Sequence, residues 1–187
     1  MRHGRSAQDV QYFDRRSLGF PTIFNLLGPL TNPAGATHQL IGTYSPVFVE
    51  KLAHSLARLG SQRAMVVHGC DGMDEITTTG LSLIATVDGP RVAMSEFDPV
   101  SIGIPRARSE DLIAKDLDGA AQIMRDVLSG APGPARDIVL LNAAAALTVA
   151  GAAYDIRSAI PAAAHAIDSG IAVRTLATLA TVSNASP

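Results

Sequence analysis

Between Leu18 and Gly35 the chain reads LGFPTIFNLLGPLTNPAG, apolar enough to be buried yet broken by Pro21, Pro29 and Pro33 and by Gly19, Gly28 and Gly35. Proline fixes φ and removes a backbone donor, so neither a regular helix nor a long strand can run through this stretch. An ordered loop that is both apolar and irregular has to wrap something, either a neighbouring element or a ligand. The first 16 residues are polar and read as a surface arm. The length of 187 residues fits one domain, or one domain plus a piece of another. Hydrophobic residues are 47%, charged residues 17% and the net charge is −2, values that exclude an intrinsically disordered chain. The acidic balance also argues against a duplex-DNA binder, which needs a basic face to displace counterions.

A single cysteine, Cys70, rules out a disulfide framework within the chain. No apolar run reaches the roughly 18 residues of a membrane helix; the longest candidate, Ile138 to Gly151, is interrupted by Asn142. The N-terminal MRHGRSAQDVQYFDRR is charged, with no apolar core of a secretory signal behind it. Together these features read as cytoplasmic.

Ser45-Pro46 predicts a helix start, with Ser at the N-cap and Pro at the first helical position. Phe48, Leu52, Leu56 and Leu59 follow at helical spacing, and Gly60 supplies the stop. RAMVVH, 63–68, is a short apolar strand. Residues 81–87 and 91–97 flank Asp88-Gly89-Pro90 as a hairpin. A short helix is expected at 109–117, the end of another at 122–129, and two Ala-rich helices at 135–150 and 155–178. The order implies an α/β fold: a partial mixed, mostly parallel sheet with a β-hairpin, covered by C-terminal helices. Only three strands are legible, too few to hold so apolar a population, so part of the sheet is expected to lie outside this chain.

The strongest chemical signal is His68-Gly69-Cys70-Asp71-Gly72-Met73-Asp74-Glu75, directly after the apolar strand. Ligands of open α/β sheets gather at the carboxyl ends of strands. Asp74 and Glu75 are adjacent carboxylates, donors suited to a hard divalent cation such as magnesium; the residues alone leave a solvated acidic turn open as well. Arg15 and Arg16 could grip a carboxylate or phosphate, or stand as a solvated basic pair. Asn25 and Asn32 could bond a ligand or serve as turn residues. A Cys70/His68 nucleophilic pair is disfavoured, because no glycine-flanked elbow surrounds Cys70 and the following acid raises a thiol pKa. The five histidines lack zinc-ligand spacing, and neither GxGxxG nor GxxxxGK[ST] occurs.

RRSLGFPTIFNLLGPLTNPAG, followed after the helix by VVHGCDGMDEITTTG, closely resembles the anthranilate phosphoribosyltransferase family; DIVLLNAAAALTVAGAA and AIDSG resemble its C-terminal helices. The similarity spans Arg15 to Leu179. It implies the nucleoside phosphorylase class II fold and transfer of phosphoribose from phosphoribosyl diphosphate to the amine of anthranilate, a step of tryptophan biosynthesis. By position in the motifs, Arg15 is implied to contact the anthranilate carboxylate and Gly28 to line the anthranilate route. Asp74 and Glu75 are implied to bind Mg2+ with the diphosphate. No catalytic base is assigned, since the amine is already a nucleophile. Residues 1–187 then correspond to the C-terminal portion of the family's α/β domain. The N-terminal helical domain, the GTGGD diphosphate loop and the KHGNR-type segment have no counterpart here. The expectation is little activity of the chain alone, a possible separately encoded N-terminal half as partner, and a family homodimer in doubt. Local departures are Ile113-Ala114-Lys115 in place of a glycine pair, Ala159 in place of glycine, and Pro161 inside the last helix. The competing readings are a pyrimidine nucleoside phosphorylase relative and a non-catalytic ligand-binding or interaction paralogue of the fold.

Overall fold

The structure is a computed structural model that describes residues 28–185. Arg15, Arg16 and Asn25 lie outside the described residues. The first strand, β1 (His38–Gly42), leads through a 3-10 turn at Pro46–Phe48 into α1 (Val49–Arg58) and then β2 (Arg63–Gly69). β3 (Ser82–Asp88) and β4 (Arg91–Phe97) form the hairpin. Four helices follow: α2 (Leu117–Leu128), α3 (Pro134–Val149), α4 (Ile156–Asp168) and α5 (Ile171–Asn184).

The sheet order is β1-β2-β3-β4. β1 and β2 are parallel, whereas β2–β3 and β3–β4 are antiparallel. The α/β class, the mixed sheet, the hairpin and the helical cover agree with the sequence reading. The mostly parallel arrangement is corrected: among the described residues, parallel pairing is confined to β1–β2. The strand that sequence missed is β1. Its five residues are too few to display a period against the Gly/Pro-rich loop before them, and only pairing with β2 defines them.

β2 is the central strand, buried from Ala64 to Gly69, because both faces are covered. On one face α1 sets Val49, Leu52, Ala53 and Leu56 against Ala64, Val66, Ala85 and Val87. On the other, α3 and α4 set Leu141, Ala144, Ala145, Val149 and Ala159 against Met65, Val67 and Ile84. The buried positions of α3, which include Leu140, Leu141, Ala144, Ala145, Thr148 and Val149, recur at helical spacing. Small residues there let the helix lie close to the sheet. A second layer of contacts, Val127, Leu140, Ala163 and Ile167, joins α2 to α3 and α4.

Local chemistry explains most boundaries. The hairpin turns over Gly89-Pro90, with Gly89 at φ +54°, the first central position of a mirror-image turn that matches strand twist. Ser45 is the N-cap and Pro46 the first residue of the 3-10 turn that leads into α1, as the sequence predicts; the Ser45 side chain makes no cap bond, and its carbonyl accepts the Phe48 N–H at 3.2 Å. α2 starts at Leu117, capped by Asp116, whose carboxylate accepts the Gly119 N–H at 2.7 Å. The expected short helix at 109–117 is a 3-10 turn, Ser109–Leu112. The single helix expected over 155–178 is two: Gly170, at φ +72°, ends α4 and redirects the chain into α5. Pro161 does lie inside α4. No helix among the described residues is long and apolar enough to cross a membrane.

Candidate metal-binding loop

β2 delivers its last residues to the loop between Gly69 and Leu81. The loop folds back at once: the Gly72 N–H donates to Gly69 O and the Gly69 N–H to Met73 O, both at 2.9 Å. The Cys70 N–H donates to Leu81 O at 2.9 Å, closing the base. Inside this frame Asp71 acts as a staple. Its carboxylate accepts the hydroxyls of Thr77 and Thr79, each at 2.6 Å, and the Met73 N–H at 3.2 Å. Partial burial pushes the Asp71 pKa up, but the hydrogen bonds from Thr77, Thr79 and Met73 outweigh it, and the net direction is down.

That direction carries a sign. A carboxylate with a folded-state pKa below its unfolded value adds stability above the unfolded value and loses it as pH falls through the folded one. The chain is therefore expected to lose stability on acidification below about pH 4, the ordinary Asp range. In Asp71→Asn that part of the slope flattens. Urea midpoints of both proteins between pH 3 and 6 measure it; identical slopes would remove Asp71 from this role.

Past Glu75 the chain enters the core. Ile76, Thr77 and Thr78 are fully buried. The Ile76 backbone is met by the Asn142 side chain from α3, at 3.0 Å to its N–H and 2.9 Å to its carbonyl. The Thr77 N–H donates to the Ser82 hydroxyl at 2.9 Å. From the other side the loop rests on β1, where a Cβ built on Gly42 would stand 1.5 Å from the Asp74 carbonyl oxygen. Gly42 is thus required by close approach of two backbones.

This scaffold leaves Asp74 and Glu75 exposed at the mouth. Neither is in an ion pair among the described residues. Partial burial and the neighbouring Asp74 charge both push the Glu75 pKa up. Two repelling carboxylates without a cationic side chain are a site that a cation would relieve. No group of three or more His, Cys, Asp or Glu that could hold a metal exists among the described residues. The pair fits magnesium in one particular manner: Mg2+ is commonly held by one or two carboxylates, with waters and substrate phosphates filling its other positions. Beside the acids, Met73, Leu112, Ile123, Ala135 and Ile138 line an apolar cleft of about 290 Å3.

The remaining sequence candidates are placed as follows. Gly28 is half-buried, and its carbonyl accepts the Thr31 N–H at 3.3 Å. Pro29, Leu30 and Asn32 border a cavity with Thr37, Leu56 and Ser61, at the amino ends of β1 and β2, opposite the acid loop. Asn32 closes its own turn by accepting the Ala34 N–H at 2.9 Å. His68 is buried, with Nδ1 2.8 Å from Thr43 O, and Cys70 is exposed. A separate cavity of about 380 Å3, bordered by Arg63, Thr86, Phe97, Val149 and Arg157, also lies away from the acids. Sequence reasoning missed Asp71, Gly42 and Asn142 as organisers of the loop. Only Asn142 left a trace, as a poor helix former inside an Ala/Leu run.

The parallel pair, the hairpin and the helical cover define an α/β domain, and its family is established by comparison. Residues 3–173 match the glycosyl transferase family, a/b domain, and the chain belongs to that family. The anthranilate phosphoribosyltransferase of Rhodospirillum rubrum is 53% identical over 163 residues, which cover 87% of this chain and 47% of that protein. The corresponding protein of Moorella thermoacetica is 52% identical over 162 residues, 87% of this chain and 48% of its own length. The crystal structure of anthranilate phosphoribosyltransferase from Thermus thermophilus superposes with a TM-score of 0.75 at 36% identity, over 83% of this chain and 46% of that one. The Saccharomyces cerevisiae enzyme in complex with PRPP and Mg gives a TM-score of 0.77 at 25% identity, over 88% of this chain and 48% of that one. This chain spans about half the length of the relatives it matches.

Proposed function

We propose that the chain carries the C-terminal portion of an anthranilate phosphoribosyltransferase, the metal-binding and acceptor-gripping part of a pentosyl transfer site. The observation that carries this reading is the exposed Asp74–Glu75 pair, set on a loop stapled on both sides, with no third acidic, His or Cys ligand among the described residues. In the transfer, the lone pair of the anthranilate amine forms a bond to ribose C1. The C1–O bond to diphosphate breaks with its electrons leaving on oxygen, and the amine gives up a proton to water. Magnesium held at Asp74 and Glu75 would supply charge compensation for the departing diphosphate. Arg15 would orient the acceptor through its carboxylate so that the amine faces C1; Gly28 takes no direct part in this step, because the residues that follow it border the cavity at the amino ends of β1 and β2, away from the acids. Orientation of this kind is a large share of catalysis between two bound reactants. The named relatives support these substrates: one solved structure holds PRPP and Mg, another 4-fluoroanthranilate.

Neither acid has a cationic partner among the described residues, and we assign the contacts to the rest of the diphosphate to a complementary N-terminal half, encoded separately or upstream. The test is an anthranilate-fluorescence assay with PRPP and Mg2+, run on the chain alone and after mixing with the N-terminal half of the Rhodospirillum rubrum protein. Little turnover alone and clear turnover on mixing are expected, with the KM for anthranilate raised about tenfold or more by Arg15→Ala. Phosphorolysis of thymidine or uridine by the mixture, or its failure to consume anthranilate, would overturn the assignment. Turnover by the chain alone at ordinary enzyme rates would overturn the need for a second half.

A further inference from the structure

We propose that Asn142 is the positioning residue of the acid pair: its amide, reaching from the middle of α3, fixes the Ile76 peptide groups and so sets where Asp74 and Glu75 meet a divalent cation. The inference rests on the metal reading above. Ile76 is fully buried and lies outside any strand, so its N–H and carbonyl have no ladder to join. Buried backbone groups are nearly always paired. Asn142 supplies both partners at once: Oδ1 accepts from the Ile76 N–H at 3.0 Å and Nδ2 donates to the Ile76 carbonyl at 2.9 Å. The second Nδ2 proton goes to Ile138 O, one turn back on α3, at 3.1 Å. The side chain thus mimics an antiparallel peptide neighbour and is itself nearly fully used.

The location gives the clamp a function beyond packing. The acid pair lies between two anchors, Asp71 with the Met73 N–H on one side and Ile76 on the other. Glu75 is one peptide from the clamped residue. A cation entering between carboxylates already held in place does not bear the cost of ordering them. The clamp spans 66 residues of sequence, so it ties the loop's order to the docking of the helical cover. Alanine or leucine would suit the run LLNAAAAL as helix and as core. Pairing with that peptide accounts for an asparagine there.

The experiment reads amide hydrogen exchange and Mn2+-induced line broadening by NMR on the full chain, for wild type, Asn142→Ala and Asn142→Asp. In Asn142→Ala the Ile76 amide is expected to exchange at least about tenfold faster relative to Ala85 in the central sheet. Asn142→Asp keeps the acceptor for that N–H and is expected to restore most of the protection. Mn2+ is expected to broaden the Asp74, Glu75 and Ile76 amides in wild type, at about three- to tenfold lower concentration than in Asn142→Ala. Unchanged Ile76 protection in Asn142→Ala would overturn the clamp. A released Ile76 with unchanged Mn2+ affinity would overturn the positioning role. Should Asn142→Ala not fold, Asn142→Ser, whose side chain is too short to reach both Ile76 groups, is read against the same two overturning outcomes. Absence of Mn2+ broadening in wild type would sink the metal reading, while the exchange data would still judge the clamp.

Discussion

Replacing both acids by their amides, Asp74→Asn with Glu75→Gln, is expected to slow the proposed phosphoribosyl transfer about 100- to 1,000-fold in the mixture with the N-terminal half of the Rhodospirillum rubrum protein. The physical basis is charge. Breaking the C1–O bond places negative charge on the diphosphate, and loss of metal-mediated compensation costs about 3–4 kcal/mol of barrier, where each 1.36 kcal/mol is tenfold. The same variant separates function from stability. The ionised acids repel each other, and burial and Asp74 push the Glu75 pKa up. A carboxylate with a raised folded-state pKa costs stability at neutral pH, and that cost disappears as pH falls through the raised value. The double amide should therefore keep or slightly gain thermal stability at pH 7 without metal, while losing its Mg2+ dependence. Steady-state rates against Mg2+ and a melting curve check both halves of the statement. A variant that retains wild-type rate and Mg2+ response would place the cation elsewhere.

The second large effect is expected at Gly42. A methyl group there would overlap the Asp74 carbonyl oxygen, since the ideal Cβ position is 1.5 Å away and the next contact, Asp74 C, is at 2.5 Å. Both are backbone atoms, so no side-chain rotation relieves the clash. Gly42→Ala is expected to cost about 3 kcal/mol, the upper end of ordinary overpacking. For a domain of this size that is about 6–12 °C in Tm. Because the displaced atom belongs to Asp74, the amide resonances of 73–76 should shift even at temperatures where the protein is folded. A Tm within 1–2 °C of wild type with unmoved loop resonances would show that the two backbones separate freely.

These two sites differ in how visible they were. Asp74 and Glu75 stood out because the signal is local: a strand, two glycines, adjacent acids, and a motif shared with known transferases. Gly42 carried no such mark. It ends a strand, its φ is not in the left-handed region, and the atom it must avoid belongs to a distant loop. Asn142 looked like a flaw in an apolar run until the Ile76 backbone was placed against it. Asp71 reads as one more acid of an acidic turn, and only Thr77 and Thr79 closing onto it show that it is the staple. The expected acceptor-side residue Gly28 sits in a segment whose following residues pack at the far end of β1 and β2.

Written into the chain's local order were the helices, the hairpin with its Gly89-Pro90 turn, the acid pair and the family, because each depends on residues within a turn or a short motif of one another. Folding alone decided the four-strand order, the single parallel pairing, the break at Gly170 in a run that reads as one helix, and the clamping of the acid loop between β1 and α3. Those features arise where remote backbones have to satisfy each other's hydrogen bonds and exclude each other's atoms, and a linear pattern holds no record of such distances.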